Sequence, residues 1–141
     1  MQVGVEWSEI LRLLTMYLDT VTYSTMTLAI MRNGLPVFPI SPRNSAIALA
    51  HLLKKAEVHH VLVGHEPAMQ KLVASAFKIL KENNEPLPTV SPMPAFEDLY
   101  PSETDHAWEP LPPSEKADPA DPAIIIHSSG MIDSAIYMVH V

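Results

Sequence analysis

The chain has 141 residues, 14 prolines, no cysteine and a formal net charge of −7. That length suits one domain able to bury about 70% of its unfolded surface. The absence of cysteine excludes disulfides, thiol chemistry and the usual ligands of structural zinc. The acidic balance, with no basic stripe, speaks against nucleic acid as a partner. No stretch stays apolar for the ~18 residues a membrane helix needs. Glu6, Glu9 and Arg12 interrupt the region where a signal peptide would lie, so the expected address is cytoplasmic.

Charge and proline are unevenly distributed. Residues 1–84 hold eight Lys/Arg against six Asp/Glu, whereas residues 85–141 hold Lys116 alone against ten carboxylates and carry ten of the prolines. A boundary is therefore expected near residue 91. An α/β layer over residues 1–91 would precede a Pro-rich acidic loop over 92–122, with a strand, a loop and a tail over 123–141.

In chain order, residues 1–18 read two ways: Trp7, Ile10, Leu11, Leu14 and Leu18 fit a helix, and Leu13 to Leu18 fit a buried strand equally well. Asp19 and Thr20 suit an N-cap. The helix that follows runs to about Asn33, with Tyr23, Met26, Thr27, Ile30 and Met31 on one face. Gly34 is a stop signal, and residues 36–40 read as a short apolar strand. Pro42 forces a turn after it, and Asn44 or Ser45 caps the next helix. That helix, residues 46–56, places Leu49, Leu52, Leu53 and Ala56 on one face, with Lys54 and Lys55 at its C-terminal dipole. Residues 58–63 read as a strand closed by Gly64. Pro67 opens a helix with Met69, Leu72, Val73, Ala76 and Leu80 in a stripe, stopped by Asn83 and Asn84.

Residues 86–90 suggest one more strand. The segment to residue 122 is expected as surface loop with local packing at Phe96, Leu99, Tyr100 and Trp108. Strand and helix alternating with short connections imply a partial parallel sheet flanked by helices, of the α/β class. Residues 135–141 alternate as a strand and suit a C-terminal β-hairpin with residues 124–127.

Two runs carry a resemblance. MRNGLPVFPISPRNS, residues 31–45, resembles the second core motif of the adenylate-forming superfamily, and its FPISPRNS wording is similar to the fungal adenylating reductases. DPAIIIHSSG, residues 121–130, resembles the start of the third core motif, a loop that in the family contacts the phosphates of ATP. The resemblance implies a strand ending near Leu18, a nucleotide cofactor, ATP with magnesium, in the full-length family, and Ser128, Ser129 and Gly130 as the remnant of the phosphate loop. Hydroxyls and glycine-exposed amides suit that task. The family motif continues as Ser-Gly-Ser/Thr-Thr-Gly-x-Pro-Lys. This chain instead reads MIDSAIYMVHV after Gly130 and has no lysine beyond Lys116. The expectation is a piece of an adenylation domain that activates no carboxylic acid alone and binds no nucleotide tightly. Two alternatives stay open: a module that self-associates through exposed sheet edges, or a nonfunctional gene product.

The remaining candidates have plainer readings. Ser128-Ser129-Gly130 in isolation is a common turn. Arg43 suits an anion but reads first as a solvated or locally bonded turn residue. His59, His60 and His65 suggest a metal, yet neighbours on a strand face opposite ways. His127 reads as a packed side chain, Glu97 and Asp98 as solvated, and Met26, Met31 and Met69 as core filler.

Overall fold

A computed structural model describes residues 13–16, 20–100, 112, 122–127 and 136–140, with strands 13–16 and 136–140 as backbone. Ten elements follow in order. They are β1 (Leu13–Met16), α1 (Thr20–Arg32), β2 (Val37–Pro39), α2 (Ala46–Lys55), β3 (His60–Val63), α3 (Pro67–Glu82), β4 (Thr89–Pro92), α4 (Phe96–Leu99), β5 (Pro122–His127) and β6 (Ile136–His140). One six-stranded sheet has the order β4-β3-β1-β2-β5-β6. Every pairing is parallel except the antiparallel β5–β6 hairpin. The α/β class, the partial parallel sheet and the C-terminal hairpin thus stand as expected, and of the two readings near the start the strand is adopted over residues 13–16.

Alternation along each strand divides the core into two layers. Phe38, Ile40, Val61, Val63 and Ile125 join Leu49, Leu52, Leu53 and Ala56 of the α2 segment and Met69, Val73, Ala76 and Leu80 of α3 in one cluster. Val37 joins Ile30 of α1, with Met31, Leu35, Leu62 and Ile124 packed against them. So α1 covers one face and α2 with α3 the other. Helices on opposite faces follow from right-handed crossovers that run from β1 to β2 in one direction and from β2 through β3 to β4 in the other.

The stripes of α2 and α3 are the expected ones. Leu49 and Ala76 are fully buried, and Met69 serves as core filler, while Lys71, Lys78 and Lys81 are exposed. On α1 Ile30 is buried and Tyr23, Met26, Thr27 and Met31 are half-buried. Thr22 is completely buried on this helix and was not anticipated, because apolar periodicity does not register a threonine.

All three long helices end alike. The residue two past the helix takes a positive φ: 70° at Gly34, 49° at Glu57 and 55° at Asn84. The next amide then reaches back five residues, from Leu35 to the Ile30 carbonyl (3.3 Å), Val58 to Leu53 (3.0 Å) and Glu85 to Leu80 (2.9 Å). This is the Schellman closure, which satisfies carbonyls the helix leaves unpaired. Leu35 with Ile30 and Val58 with Leu53 add the apolar contact that accompanies it. At α2 the other end is capped by Ser45, whose Oγ accepts from the Ala48 amide at 3.2 Å.

Three expectations are corrected. The fourth strand is Thr89–Pro92, not 86–90, because Pro86 and Pro88 have no amide to donate and the ladder starts with the Thr89 amide on the His59 carbonyl, 3.0 Å. Residues 58 and 59 precede β3 for a related reason: the Val58 amide is already used in closing α2. The segment after β4 is not all extended loop. It contains the α4 turn, where the Asp98 carboxylate accepts from the Ala95 amide at 2.9 Å, so Asp98 has a structural bond rather than a purely solvated role.

Phe96 and Tyr100 stack with ring centroids 4.9 Å apart, and the Tyr100 hydroxyl bonds Thr25 Oγ1 of α1 at 2.6 Å. Arg32 of α1 donates to the Pro112 carbonyl. The Asp19 cap, Trp108 and the Ser128–Gly130 loop lie outside the described residues.

Candidate functional site

A parallel sheet collects the loops that follow its strands along one edge, and ligands of open α/β sheets bind there. In this chain the carboxyl ends of β1, β2, β3, β4 and β5 all face that edge. β1 leads to α1 on one face and its neighbour β3 leads to α3 on the other, so the connections part between them. The amino ends of α1, α2 and α3 point to the same edge, and helix amino ends favour anions.

Beside this point β2 ends in the turn 41–45. The turn is bonded to itself: Asn44 donates its side-chain amide to the Ser41 carbonyl at 2.9 Å and the Arg43 amide meets Ser41 Oγ at 3.2 Å. Arg43 is exposed. This matches a locally bonded turn residue. Next to β2 lies β5, with Val37 level with Ile124 in a parallel register. The His127 ring meets Phe38 edge-on, centroids 6.0 Å apart at 79°. His127 is therefore a packed side chain at the last position of β5, and the sequence continues from it into Ser128, Ser129 and Gly130. Those three lie outside the described residues, so what is defined here is the strand that leads to them.

After β3 the chain turns through Gly64, His65 and Glu66. Gln70 Nε2 donates to the Gly64 carbonyl at 2.7 Å, and His65 Nε2 bonds the Met93 carbonyl at 2.8 Å. His60 Nδ1 bonds Thr89 Oγ1, which itself donates to the His59 carbonyl at 3.2 Å. Because that hydroxyl donates to a carbonyl, the His60 ring must be the donor in the shared bond. Of the three histidines suggestive of a metal in sequence, His60 and His65 fasten β4 to β3 at its two ends, and His59 contributes its backbone carbonyl. Among the described residues no three of His, Asp and Glu converge as metal ligands.

Glu66 caps α3 by backbone only, and its Oε2 is buried with no hydrogen-bond partner among the described residues. Neither Glu66 nor Gln70 was singled out in sequence. Their roles come from the turn between β3 and α3, and no periodicity marks them.

Residues 12–130 match the model of the AMP-binding enzyme family. The chain belongs to that family. It is 43% identical over 115 residues to the adenylate-forming reductase Nps10 of Heterobasidion annosum, and 32% identical over 117 residues to the adenylate-forming reductase Nps11 of Serpula lacrymans. These alignments take in 80% and 79% of the chain but 10% of each relative, so the chain corresponds to a small part of these family members.

Solved structures agree on the fold. The luciferase-like enzyme of the mealworm Zophobas morio superposes with a TM-score of 0.66 at 18% identity, over 92% of this chain and 30% of that one. Apo MatB of Rhodopseudomonas palustris gives 0.63 at 18%, over 99% and 25%. The AMP-binding match ends at residue 130, so β6 lies beyond it.

Proposed function

We propose that this chain is the sheet layer that carries the phosphate-contacting loop of an acyl-adenylate-forming domain, and that alone it does not complete adenylation. One observation carries the reading: β5 is parallel to β2 and directs its end, and with it the run into Ser128, Ser129 and Gly130, to the edge where nucleotides are bound in open α/β sheets. In the full-length family the ligand of that loop is ATP with magnesium, and this chain alone is expected not to hold it tightly. Hydroxyls and amides of such a run suit hydrogen bonds to phosphate oxygens, and the amino ends of α1, α2 and α3 at this edge favour an anion.

Transfer chemistry at the α-phosphate needs more than this. Charge that develops on the phosphates has to be met by preorganised donors, usually including cations. After Gly130 the sequence offers no second glycine and no Pro-Lys pair, and Lys116 is its last lysine.

The deciding experiment is pyrophosphate exchange by the 141-residue chain with magnesium, ATP and a panel of carboxylic acids. No exchange above background is expected. Robust exchange with any acid overturns the reading, and so does tight, magnesium-dependent ATP uptake in a titration calorimeter.

A further inference from the structure

The sheet has two edges, and they are built differently. On β4 the bonds from Thr89 to His59 and from Met93 to Val63 show that odd-numbered residues turn their peptide groups toward β3. Even-numbered residues therefore turn theirs outward. Positions 88 and 92 are proline, so between them Val90 alone presents an amide to a would-be neighbour. Pro86 and Pro94 continue the same spacing beyond the strand. An edge left with a single amide donor is a poor template for a new strand.

The β6 edge has no such protection. β6 pairs with β5 on one side, and among the described strands none lies on its other side. Residues 134–141 contain no proline and no Lys, Arg, Asp or Glu. Charge, proline and covering elements are the usual ways an edge is blunted, and β6 has none of the first two while no described strand supplies the third. It also lies beyond the residues that match the family, so this edge belongs to this chain rather than to the matched layer.

We infer that β6 pairs antiparallel with β6 of a second copy of this chain about a two-fold axis, joining two six-stranded sheets into one. The second copy is the occupant the geometry favours, because a strand paired antiparallel with itself about a two-fold axis makes the same contacts from both sides and closes the assembly. The proline spacing on β4 then ends the joined sheet at both outer edges, so association stops at the dimer. Two open edges on each copy would instead give open-ended growth. This is a specific form of self-association through sheet edges, and it does not depend on the nucleotide reading: dimerisation and pyrophosphate exchange are separate readouts.

The lack of native cysteine gives a direct test. Residues facing each other across an antiparallel pair have Cα atoms about 4.5–5.5 Å apart, within the range of about 4.4–6.8 Å that a disulfide spans. In Tyr137→Cys, Met138→Cys and Val139→Cys each chain carries one thiol, which can link only to another copy. At least one of the three, the one nearest the axis, should form a covalent dimer on mild oxidation at least about tenfold faster than Val90→Cys on the β4 edge, since pairing raises the local thiol concentration.

Sedimentation of the unsubstituted chain should show a reversible monomer–dimer equilibrium with nothing larger. Val90→Pro, which removes the last outward amide of β4, should leave it unchanged. A chain that stays monomeric at every concentration, a series that grows past the dimer, or cross-linking at position 90 as fast as at 137–139 each overturns the inference. Reduced samples of every cysteine variant are compared by circular dichroism melts, and the sedimentation result on the unsubstituted chain stands even where a variant fails to fold.

Discussion

Among the described residues, fifteen buried apolar side chains form one continuous cluster on the sheet face under α2 and α3; on the face under α1 two buried apolar side chains, Ile30 and Val37, share their layer with others that stay partly exposed. Neighbouring residues on one strand thus enter different environments. Phe38 and Ile125 go to the full face, and Val37 and Ile124 to the thin one. The difference lies in the covering elements. Two amphipathic helices with unbroken stripes close the first face, whereas among the described residues α1 is the one long helix over the second. Stability should therefore be concentrated in the layer between β3, β2 and the α2–α3 pair.

That inequality can be broken in several ways. Phe38→Ala should have the largest effect, a loss of about 4 kcal/mol, because a fully buried ring leaves a cavity and removes the edge-on partner of His127. Urea titration followed by circular dichroism measures it. Ile125→Ala and Ile124→Ala then compare the same residue type on opposite faces. Losses of about 3 and about 1.5 kcal/mol are expected, in proportion to the apolar surface each buries. Equal losses would mean that the two layers contribute alike.

Ser45→Ala should cost about 1 kcal/mol by leaving the Ala48 amide without its cap, and Ser45→Asp should restore most of it. The smallest effect belongs to the Lys54–Glu85 ion pair, which ties the end of α2 to the turn after α3. Lys54 is more than half exposed, so Lys54→Ala should cost less than about 0.5 kcal/mol in a urea titration, and the loss should shrink as salt is added.

The well-covered face was also the legible one. Leu49, Leu52, Leu53 and Ala56, and Met69, Val73, Ala76 and Leu80, recur at helical spacing, and period is a local property that a single sequence displays. Thr22 escaped because its burial depends on what surrounds it rather than on its own polarity. The start of β4 at Thr89 rather than 86 is set by the missing amides of Pro86 and Pro88, which a reading of strand content does not register. The fastening bonds of His60 and His65 join residues 29 and 28 positions apart, and only the pairing of β3 with β4 brings them together. For the candidate site, the sequence supplied the Ser128–Gly130 run and its resemblance to a phosphate loop. The direction of β5, and hence the edge it serves, follows from a pairing between Val37 and Ile124 that no local pattern encodes.

The three helix ends carry a consequence of their own. At Gly34 an added methyl would meet no atom within 4 Å, so the glycine answers to handedness and not to room. Glu57 and Asn84 hold the same mirror-image backbone while bearing side chains that disfavour it. A chain assembled by chemical ligation with D-alanine at position 34 or D-glutamate at position 57 should fold at least as firmly as the natural one, because the inverted stereocentre prefers the torsions these turns already impose.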